Sequence, residues 1–145
     1  GEAFDLLTAF NTGHSGMGTG HANSPKDMLS RLESMVLMAA ELPLMAIRSQ
    51  ISAAIDIIVQ LGRLRDKSRR VLEIVELKGM EQGEILLNPL YVFQEKPQEE
   101  ERKKGGKSGK KTAAATKETE KVKGELVCVG QLLGKEKLWA AGCEL

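Results

Sequence analysis

Aromatic residues are scarce in this chain, which has only Phe4, Phe10, Tyr91, Phe93 and Trp139 among its 145 residues. A core cannot be built around so few rings. We therefore expect a core of leucine, isoleucine, valine, alanine and methionine. The length fits one domain, and the apolar share of 41% is ordinary for a globular protein.

Cysteine is almost as rare, and the two that occur, Cys128 and Cys143, form no CxxC motif and no disulfide framework. This usage favours a reducing compartment, and we expect a cytoplasmic protein. No apolar run approaches the ~20 residues that a membrane span needs. No charged-then-apolar signal peptide opens the sequence. Any association with a membrane is therefore expected to be peripheral.

The net charge of +1 hides one basic segment, residues 99–123, which carries nine Lys or Arg and five Glu. Hydrophobic residues are nearly absent from it, so residues 96–121 are predicted to be a disordered, lysine-rich insertion. A nucleic-acid surface would interleave aromatic anchors, so no nucleic-acid partner is predicted. Transient contact with a polyanion or a lipid headgroup stays open as an alternative.

Within this insertion the stretch GGKSGKKT, residues 105–112, has the look of a phosphate-binding P-loop. The P-loop pattern is G-x-x-x-x-G-K-[ST], in which the hydroxyl after the lysine holds Mg²⁺. With Gly109 and Lys110 in the GK positions, Lys111 stands where the hydroxyl belongs and Lys104 where the first glycine belongs. The stretch is therefore interpreted as a linker.

Apolar spacing predicts helices in the first third of the chain. Residues 2–10 form a first amphipathic pattern. Ser24 as N-cap and Pro25 at the first helical position start a second helix, which ends before Pro43. A third begins at residues 42–44, and its apolar face is predicted to extend to Ile55 and Ile58.

Strand patterns fill the remainder of the chain. The runs IDIIVQLGRL and VLEIVELKGM, separated by the turn-prone RDKSRR, predict a hairpin. Residues 84–93 predict one or two short strands interrupted at Asn88-Pro89. Residues 124–131 predict a strand, and residues 136–142 a short helix closed by Gly142. The predicted class is α/β, with helices first and a β-rich end.

The only two histidines, His14 and His21, lie in the glycine-rich loop TGHSGMGTGHA, residues 12–22. A zinc site would need further ligands, such as Asp5, Glu33 or the cysteines, and no metal is predicted. Nucleophilic catalysis through the neighbouring serine lacks an orienting acid and a nucleophile elbow. An exposed glycine-rich turn is the structural alternative. Arg31, Glu33 and Arg48 are predicted to lie on solvated helix faces or in a subunit interface.

Two longer passages, GEAFDLLTAFNTGHSGMGTGHANSPKDMLSRLESMVLMA and LPLMAIRSQISAAIDIIVQLGRLRDKSRRV, carry a family resemblance. They resemble the C-terminal half of the type II/IV secretion-system ATPases, in the branch that drives tight-adherence (Tad/Flp) pilus assembly. The closing KVKGELVCVGQLLGKEKLWAAG is similar to the end of such proteins. The resemblance covers residues 1 to about 95 and resumes near residue 122.

The resemblance implies the C-terminal portion of a RecA-like P-loop ATPase domain that works as a homohexamer beside an inner-membrane pilus or secretion platform. Residues 12–22 then correspond to the family's histidine box, with His14 and His21 as catalytic residues and Thr12, Gly13 and Thr19 as cofactor-binding residues. ATP and Mg²⁺ are the cofactors of the parent assembly. Neither is expected to bind tightly to this chain alone, and the chain alone is expected to be inactive.

Three departures from the family pattern accompany this resemblance. The family's P-loop, acidic box and Walker B segment lie upstream of a GEA-type start, and the chain is expected to be a fragment that lacks them. Its histidine box is one residue shorter than usual, because Gly16 runs straight into Met17. The lysine-rich insertion is longer than usual. We therefore divide the chain into a partial ATPase domain (1–95), the insertion (96–121) and a closing strand and helix (122–145). The alternative is a non-catalytic interaction module derived from such an ATPase.

Overall fold

The computed structural model describes residues 2–96 and 121–143, in which three helices precede an antiparallel sheet and a short helix. The helices of the first part are α1 (Glu2–Asn11), α2 (Pro25–Ala39) and α3 (Leu44–Ala54). The later elements are β1 (Ile57–Arg63), β2 (Arg69–Glu81), β3 (Glu84–Glu95), β4 (Gly124–Cys128) and α4 (Glu136–Ala140). The predicted order, helices first and a β-rich end, is confirmed. The predicted insertion and its P-loop-like stretch fall on residues outside the described part.

Helix α2 begins where its cap signals predict. The Ser24 hydroxyl accepts a hydrogen bond from the Asp27 backbone N–H at 3.1 Å, and Pro25 occupies the first turn. This bond satisfies one of the N–H groups that a helix start leaves unpaired. The sequence of residues 24–27 therefore fixes the point at which the glycine-rich loop ends.

The prediction that the apolar face of α3 extends to Ile55 and Ile58 is wrong. The helix ends at Ala54, and Ile55 already has an extended backbone with φ −113°. Ile58 lies in β1 and pairs with Val75 of β2. The β-branched run after Asp56 favours a strand, and the strand has a partner to pair with. Both isoleucines still pack against the same core as α3.

The sheet is a meander in the order β1-β2-β3-β4, with every neighbouring pair antiparallel. The predicted hairpin between the first two strands is confirmed. Its turn places Lys67 at φ 65°, and the following turn, between β2 and β3, contains Gly83 at φ 83°. In this order β1 and β4 are the two edge strands.

Residues 84–95 form one strand, so the predicted interruption at Asn88-Pro89 is wrong. The register instead shifts beside the proline: Val75 pairs with Pro89, and Ile74 pairs with Tyr91. Leu90 is the extra residue of this bulge. A bulge accommodates a residue that cannot donate a ladder hydrogen bond, which explains why the strand continues through a proline.

The core lies between the three long helices and one end of the sheet. Its members are aliphatic, as the composition predicts, and seven buried side chains form one cluster: Leu7, Leu29, Leu32, Val36, Ile47, Ile51 and Leu77. Ile47 and Ile51 of α3 are 0% exposed. Removing either side chain to alanine would cost about 2–5 kcal/mol, as is typical for fully buried aliphatic residues. Helix α3 is therefore the central layer of the fold.

Glu76 is the one charged residue in the described part that is buried, at 4% exposure. Its carboxylate accepts hydrogen bonds from Asn88 Nδ2 at 2.8 Å and from the backbone N–H groups of Leu133 and Gly134. Burial by itself raises the pKa of Glu76, but these hydrogen bonds outweigh it and lower the pKa below its usual value. The carboxylate thereby attaches the segment before α4 to the sheet.

Asp66, in the turn between β1 and β2, holds the segment that leads into β4. Its carboxylate accepts bonds from the hydroxyl and N–H of Ser68 and, at 2.8 Å, from the N–H of Val122. The Ser68 hydroxyl is the main cause that lowers the pKa of Asp66 to about 2, followed by the Val122 bond. Val122 is 1% exposed, and its carbonyl also accepts a hydrogen bond from Arg70 Nη2 at 3.3 Å. Asp66 and Arg70 therefore both hold this residue.

Replacing Asp66 by asparagine is expected to lower the melting temperature at pH 7 and to remove part of the acid sensitivity. The folded-state pKa of about 2 lies below the unfolded value of 3.8, so the ionised form stabilises the fold above pH ~4. That contribution falls away as the pH drops from ~4 to ~2. Thermal unfolding followed by circular dichroism from pH 6 to pH 2 measures both effects.

Glu95→Gln is the matched control, because it removes a carboxylate whose ion pair with Arg65 is exposed. Exposed pairs contribute little, so this variant should follow the wild-type pH profile. If Asp66→Asn also follows that profile, Asp66 does not hold the Val122 segment.

Candidate functional site

The glycine-rich loop begins with a tight cap on the end of α1. The Thr12 hydroxyl donates to the carbonyls of Thr8 and Ala9, and the His14 N–H donates to the Ala9 carbonyl at 3.2 Å. Between them Gly13 has φ 91°, the left-handed conformation that commonly follows a helix C-terminus. The Thr12 Oγ1 also lies 3.3 Å from Nδ1 of His14. The first histidine is therefore positioned by the end of the helix.

The middle of the loop lies close against α1. A Cβ at Gly16 would meet the Phe10 ring at 2.6 Å, so the backbone approaches this ring more closely than a larger residue would allow. Met17 is 100% exposed, and Thr19 is also exposed. Among the described residues, no backbone N–H of residues 15–23 donates to a backbone carbonyl. The backbone N–H groups of this stretch are therefore not used in backbone pairing.

Two side chains hold the far end of the loop. Arg31 Nη1, on α2, donates to the carbonyl of His21 at 3.0 Å. Gln60 Nε2, on β1, donates to the carbonyl of Ala22 at 3.1 Å. The second histidine therefore has a fixed backbone although its side chain is exposed. Sequence reasoning missed both holding residues, because neither contact follows from spacing along the chain.

A cleft of about 620 Å³ opens beside this fixed end. It is lined by residues of the loop, of α2 and of β1: residues 20–23, Asp27 and Arg31, and Val59, Gln60 and Leu61. His21 lines this cleft, whereas His14 and Thr19 do not. The structure thus places the two predicted catalytic residues at opposite ends of one exposed loop.

The zinc alternative receives no support from the geometry. No group of three or more histidine, cysteine, aspartate or glutamate residues converges in residues 2–96 and 121–143. A zinc site needs three or four such ligands. The two cysteines are both exposed.

Two of the charged residues predicted to be solvated are instead paired with each other. Arg48 Nε donates to Glu33 Oε1 at 2.9 Å, and its Nη1 donates to the Gly83 carbonyl at 2.7 Å. The side chains are only 25% and 15% exposed, and the hydrogen bond to Glu33 raises the pKa of Arg48. The prediction of a solvated face is therefore wrong for this pair. It connects α2, α3 and the turn after β2.

Comparison with known proteins assigns the class. The sequence profile of the type II/IV secretion system protein family matches residues 1–131, which is most of the chain and includes the loop, the cleft and the sheet. The chain belongs to this family.

Individual relatives share the same region. A protein of Mycobacterium tuberculosis H37Rv named for conjugal transfer, Rv3659c, is 40% identical over 81 residues, which are 55% of this chain and 23% of that protein. The conjugal transfer protein TrbB of Rhizobium radiobacter is 39% identical over 80 residues, 54% of this chain and 24% of that protein. The chain thus spans about a quarter of the length of these relatives.

The part of the chain that the structure describes contains no helix long and apolar enough to cross a membrane.

Gly13 and Gly18 test whether backbone conformation sets the start of the loop. A Cβ at Gly13 meets nothing within 4 Å, so the cost of Gly13→Ala arises only from the left-handed φ and should be about 1 kcal/mol. Gly18→Ala adds a Cβ in ordinary contact with Leu6, at 3.4 Å, and should change the free energy of unfolding very little. Urea unfolding of both variants measures the difference, and equal stabilities would show that the cap does not constrain Gly13.

Proposed function

We propose that this chain is the histidine-box portion of a hexameric ATPase that powers pilus assembly or protein secretion. Residues 12–22 would contact the phosphates of ATP bound elsewhere in the assembly, with His14 and His21 as catalytic residues and Thr12, Gly13 and Thr19 as cofactor-binding residues. The observation that carries the proposal is the loop itself. It presents free backbone N–H groups and two exposed imidazoles, and its ends are fixed by α1, Arg31 and Gln60.

The chemistry of the loop fits phosphate oxygens. Consecutive backbone N–H groups in glycine-rich segments form concave anion sites. An imidazole donates to a phosphate oxygen through a ring N–H, and it gains a second donor when it is protonated. Because Arg31 holds the His21 carbonyl, the backbone on this side needs little reorganisation to make such contacts.

Mg²⁺ does not fit the described residues in the same way. This ion takes oxygen ligands, from one or two carboxylates together with substrate phosphates. Asp27, the carboxylate that lines the cleft, has no second acidic residue beside it there. The proposal therefore assigns Mg²⁺ and most of the nucleotide contacts to parts of the assembly other than this chain.

A second candidate function is a non-catalytic module that binds partner subunits. It is favoured by the exposed apolar side chains of β1, where Ile57 is 41%, Val59 48% and Leu61 62% exposed. Alternating exposed apolar residues on an edge strand are typical of protein–protein contact. The ATPase proposal is preferred because the family match extends over the loop as well as over the strands.

The finer assignment is to the tight-adherence pilus branch, at the cytoplasmic side of the inner membrane with platform proteins as partners. Relatives named for conjugal transfer make a conjugative apparatus the competing assignment. Deleting the gene should abolish surface pili and leave conjugation frequency unchanged. The reverse result would assign the protein to conjugation.

The ATPase proposal predicts that this 145-residue chain hydrolyses no ATP in the presence of Mg²⁺. It also predicts that the upstream coding sequence, in frame, encodes a P-loop and a Walker B strand. In the protein encoded by that complete reading frame, His21→Ala should lower kcat by about 10²-fold, because the variant lacks a hydrogen-bond donor to the transition state.

The matched control is Met17→Ala, in the same loop, because Met17 is fully exposed and contacts nothing that the mechanism uses. Its kcat should equal that of the wild type. Mg²⁺-dependent ATPase activity in the 145-residue chain, or an upstream frame without a P-loop, would contradict the proposal.

A further inference from the structure

The Thr12 hydroxyl has a single hydrogen and three acceptors within reach. Its Oγ1 lies 2.9 Å from the carbonyl oxygen of Ala9, 3.0 Å from that of Thr8 and 3.3 Å from Nδ1 of His14. Hydroxyl donors bond at about 2.5–3.0 Å, so the carbonyl contacts have a normal length and the histidine contact is too long for this donor. The hydrogen therefore lies on the side of the two carbonyls.

The contact between the hydroxyl and His14 then has a defined direction. An oxygen whose hydrogen is directed to a carbonyl presents only lone pairs to its other neighbours. A bare imidazole nitrogen also presents a lone pair, and two lone pairs that face each other repel. The contact is attractive only when Nδ1 carries a hydrogen and donates it to Thr12 Oγ1.

We propose that Thr12 holds His14 in the tautomer that is protonated at Nδ1 and bare at Nε2. Thr12 is then a positioning residue, because its oxygen accepts from the ring while its hydrogen attaches it to the end of α1. A neutral imidazole has one donor and one acceptor nitrogen. The hydrogen bond that one nitrogen makes therefore sets the role of the other.

The backbone of this segment supports the arrangement. The N–H group of Thr12 donates to the carbonyls of Thr8 and Ala9, and that of His14 donates to the carbonyl of Ala9. Between them the chain turns at Gly13, whose φ is 91°. Both residues are thus attached to the last turn of α1. The backbone therefore keeps the hydroxyl and the ring within reach of each other, although both side chains are exposed.

His21 provides an internal reference in the same loop. Arg31 Nη1 donates to its backbone carbonyl at 3.0 Å. Within residues 2–96 and 121–143, however, no group is hydrogen-bonded to the imidazole of His21. Nothing in the described part selects one tautomer for this ring. His21 should therefore show the tautomer ratio of a solvated imidazole.

The inference deepens the proposed function, and it rests on that function only for its chemical consequence. In neutral His14 the Nε2 atom accepts a hydrogen bond or a proton from water or a hydroxyl, and it has no hydrogen to donate to a phosphate oxygen. Donation through Nε2 requires the protonated imidazole, in which Nδ1 keeps its bond to Thr12. His14 is thus an oriented acceptor, and Thr12 contributes to the site through this ring.

The test uses long-range ¹H–¹⁵N correlation NMR on the ring nitrogens of the 145-residue chain, at about pH 9, where an ordinary imidazole is neutral. Protonated and bare nitrogens have well-separated ¹⁵N shifts, so the spectrum reports the tautomer ratio of each histidine. The ratio of the Nδ1–H to the Nε2–H form should be about fivefold higher in His14 than in His21, which is the effect of one hydrogen bond of typical net strength. No nucleotide is present, so the result is independent of the ATPase proposal.

Three variants test whether the hydroxyl is the cause. Thr12→Val keeps the shape of the side chain without its oxygen, and it should bring the His14 ratio to that of His21. Thr12→Ser keeps the hydroxyl and should keep the ratio. Thr8→Val is the matched control, because the Thr8 hydroxyl bonds to the Phe4 carbonyl at 2.9 Å, and this variant should leave the ratio unchanged.

Each of three results would overturn the proposal. Equal ratios for the two histidines would do so in the wild type, without any variant. An excess of the Nε2–H form at His14 would show that Thr12 donates to the ring. An unchanged His14 ratio in Thr12→Val would show that the tautomer has another cause.

Discussion

The packing of α3 is the constraint on which the rest of the structure depends. Its two fully buried isoleucines, Ile47 and Ile51, join Leu7 of α1, side chains of α2 and Leu77 of β2 in one cluster. Helix α3 contacts both α1 and α2, which also contact each other, so the three helices share one core. The glycine-rich loop connects α1 and α2, so the core determines where both ends of the loop lie although the loop contributes nothing to the core.

Polar anchors then place the segments that the small core cannot reach. Glu76 holds the residues before α4, Asp66 holds Val122, and the Arg48–Glu33 pair connects two helices to the turn after β2. Each anchor depends on a carboxylate that accepts several bonds at once, which charge makes stronger than neutral pairs. In a chain with few aromatic residues, such contacts replace the wide apolar surfaces that large rings would supply.

The sequence predicts the elements well because their signals are local. Ser24 and Pro25 start α2, and Gly142, at φ 77°, follows α4 as predicted. The errors arise where tertiary pairing decides. Pro89 suggests a break, yet a bulge carries the strand through it. Arg48 and Glu33 lie fifteen positions apart, and only the packing of α2 on α3 shows that they meet.

The candidate site, too, is predicted from the sequence only in part. The family resemblance points to residues 12–22, and the family match includes them. The cleft beside them could not be predicted, because its second wall is β1 and its boundary depends on Arg31 and Gln60. Whether His14 and His21 act on a nucleotide stays a prediction. The geometry contributes a loop with fixed ends and free backbone.

Native-state hydrogen exchange, measured residue by residue by NMR, tests this account most directly. If the core is packed and the loop is not part of it, the amides of Ile47 and Ile51 should exchange only by global unfolding. The amides of residues 16–19 should then exchange at nearly unprotected rates, faster by a factor of about 10⁴ or more. Similar protection in the loop and in α3 would show that the loop is part of the packed structure, and it would contradict the account.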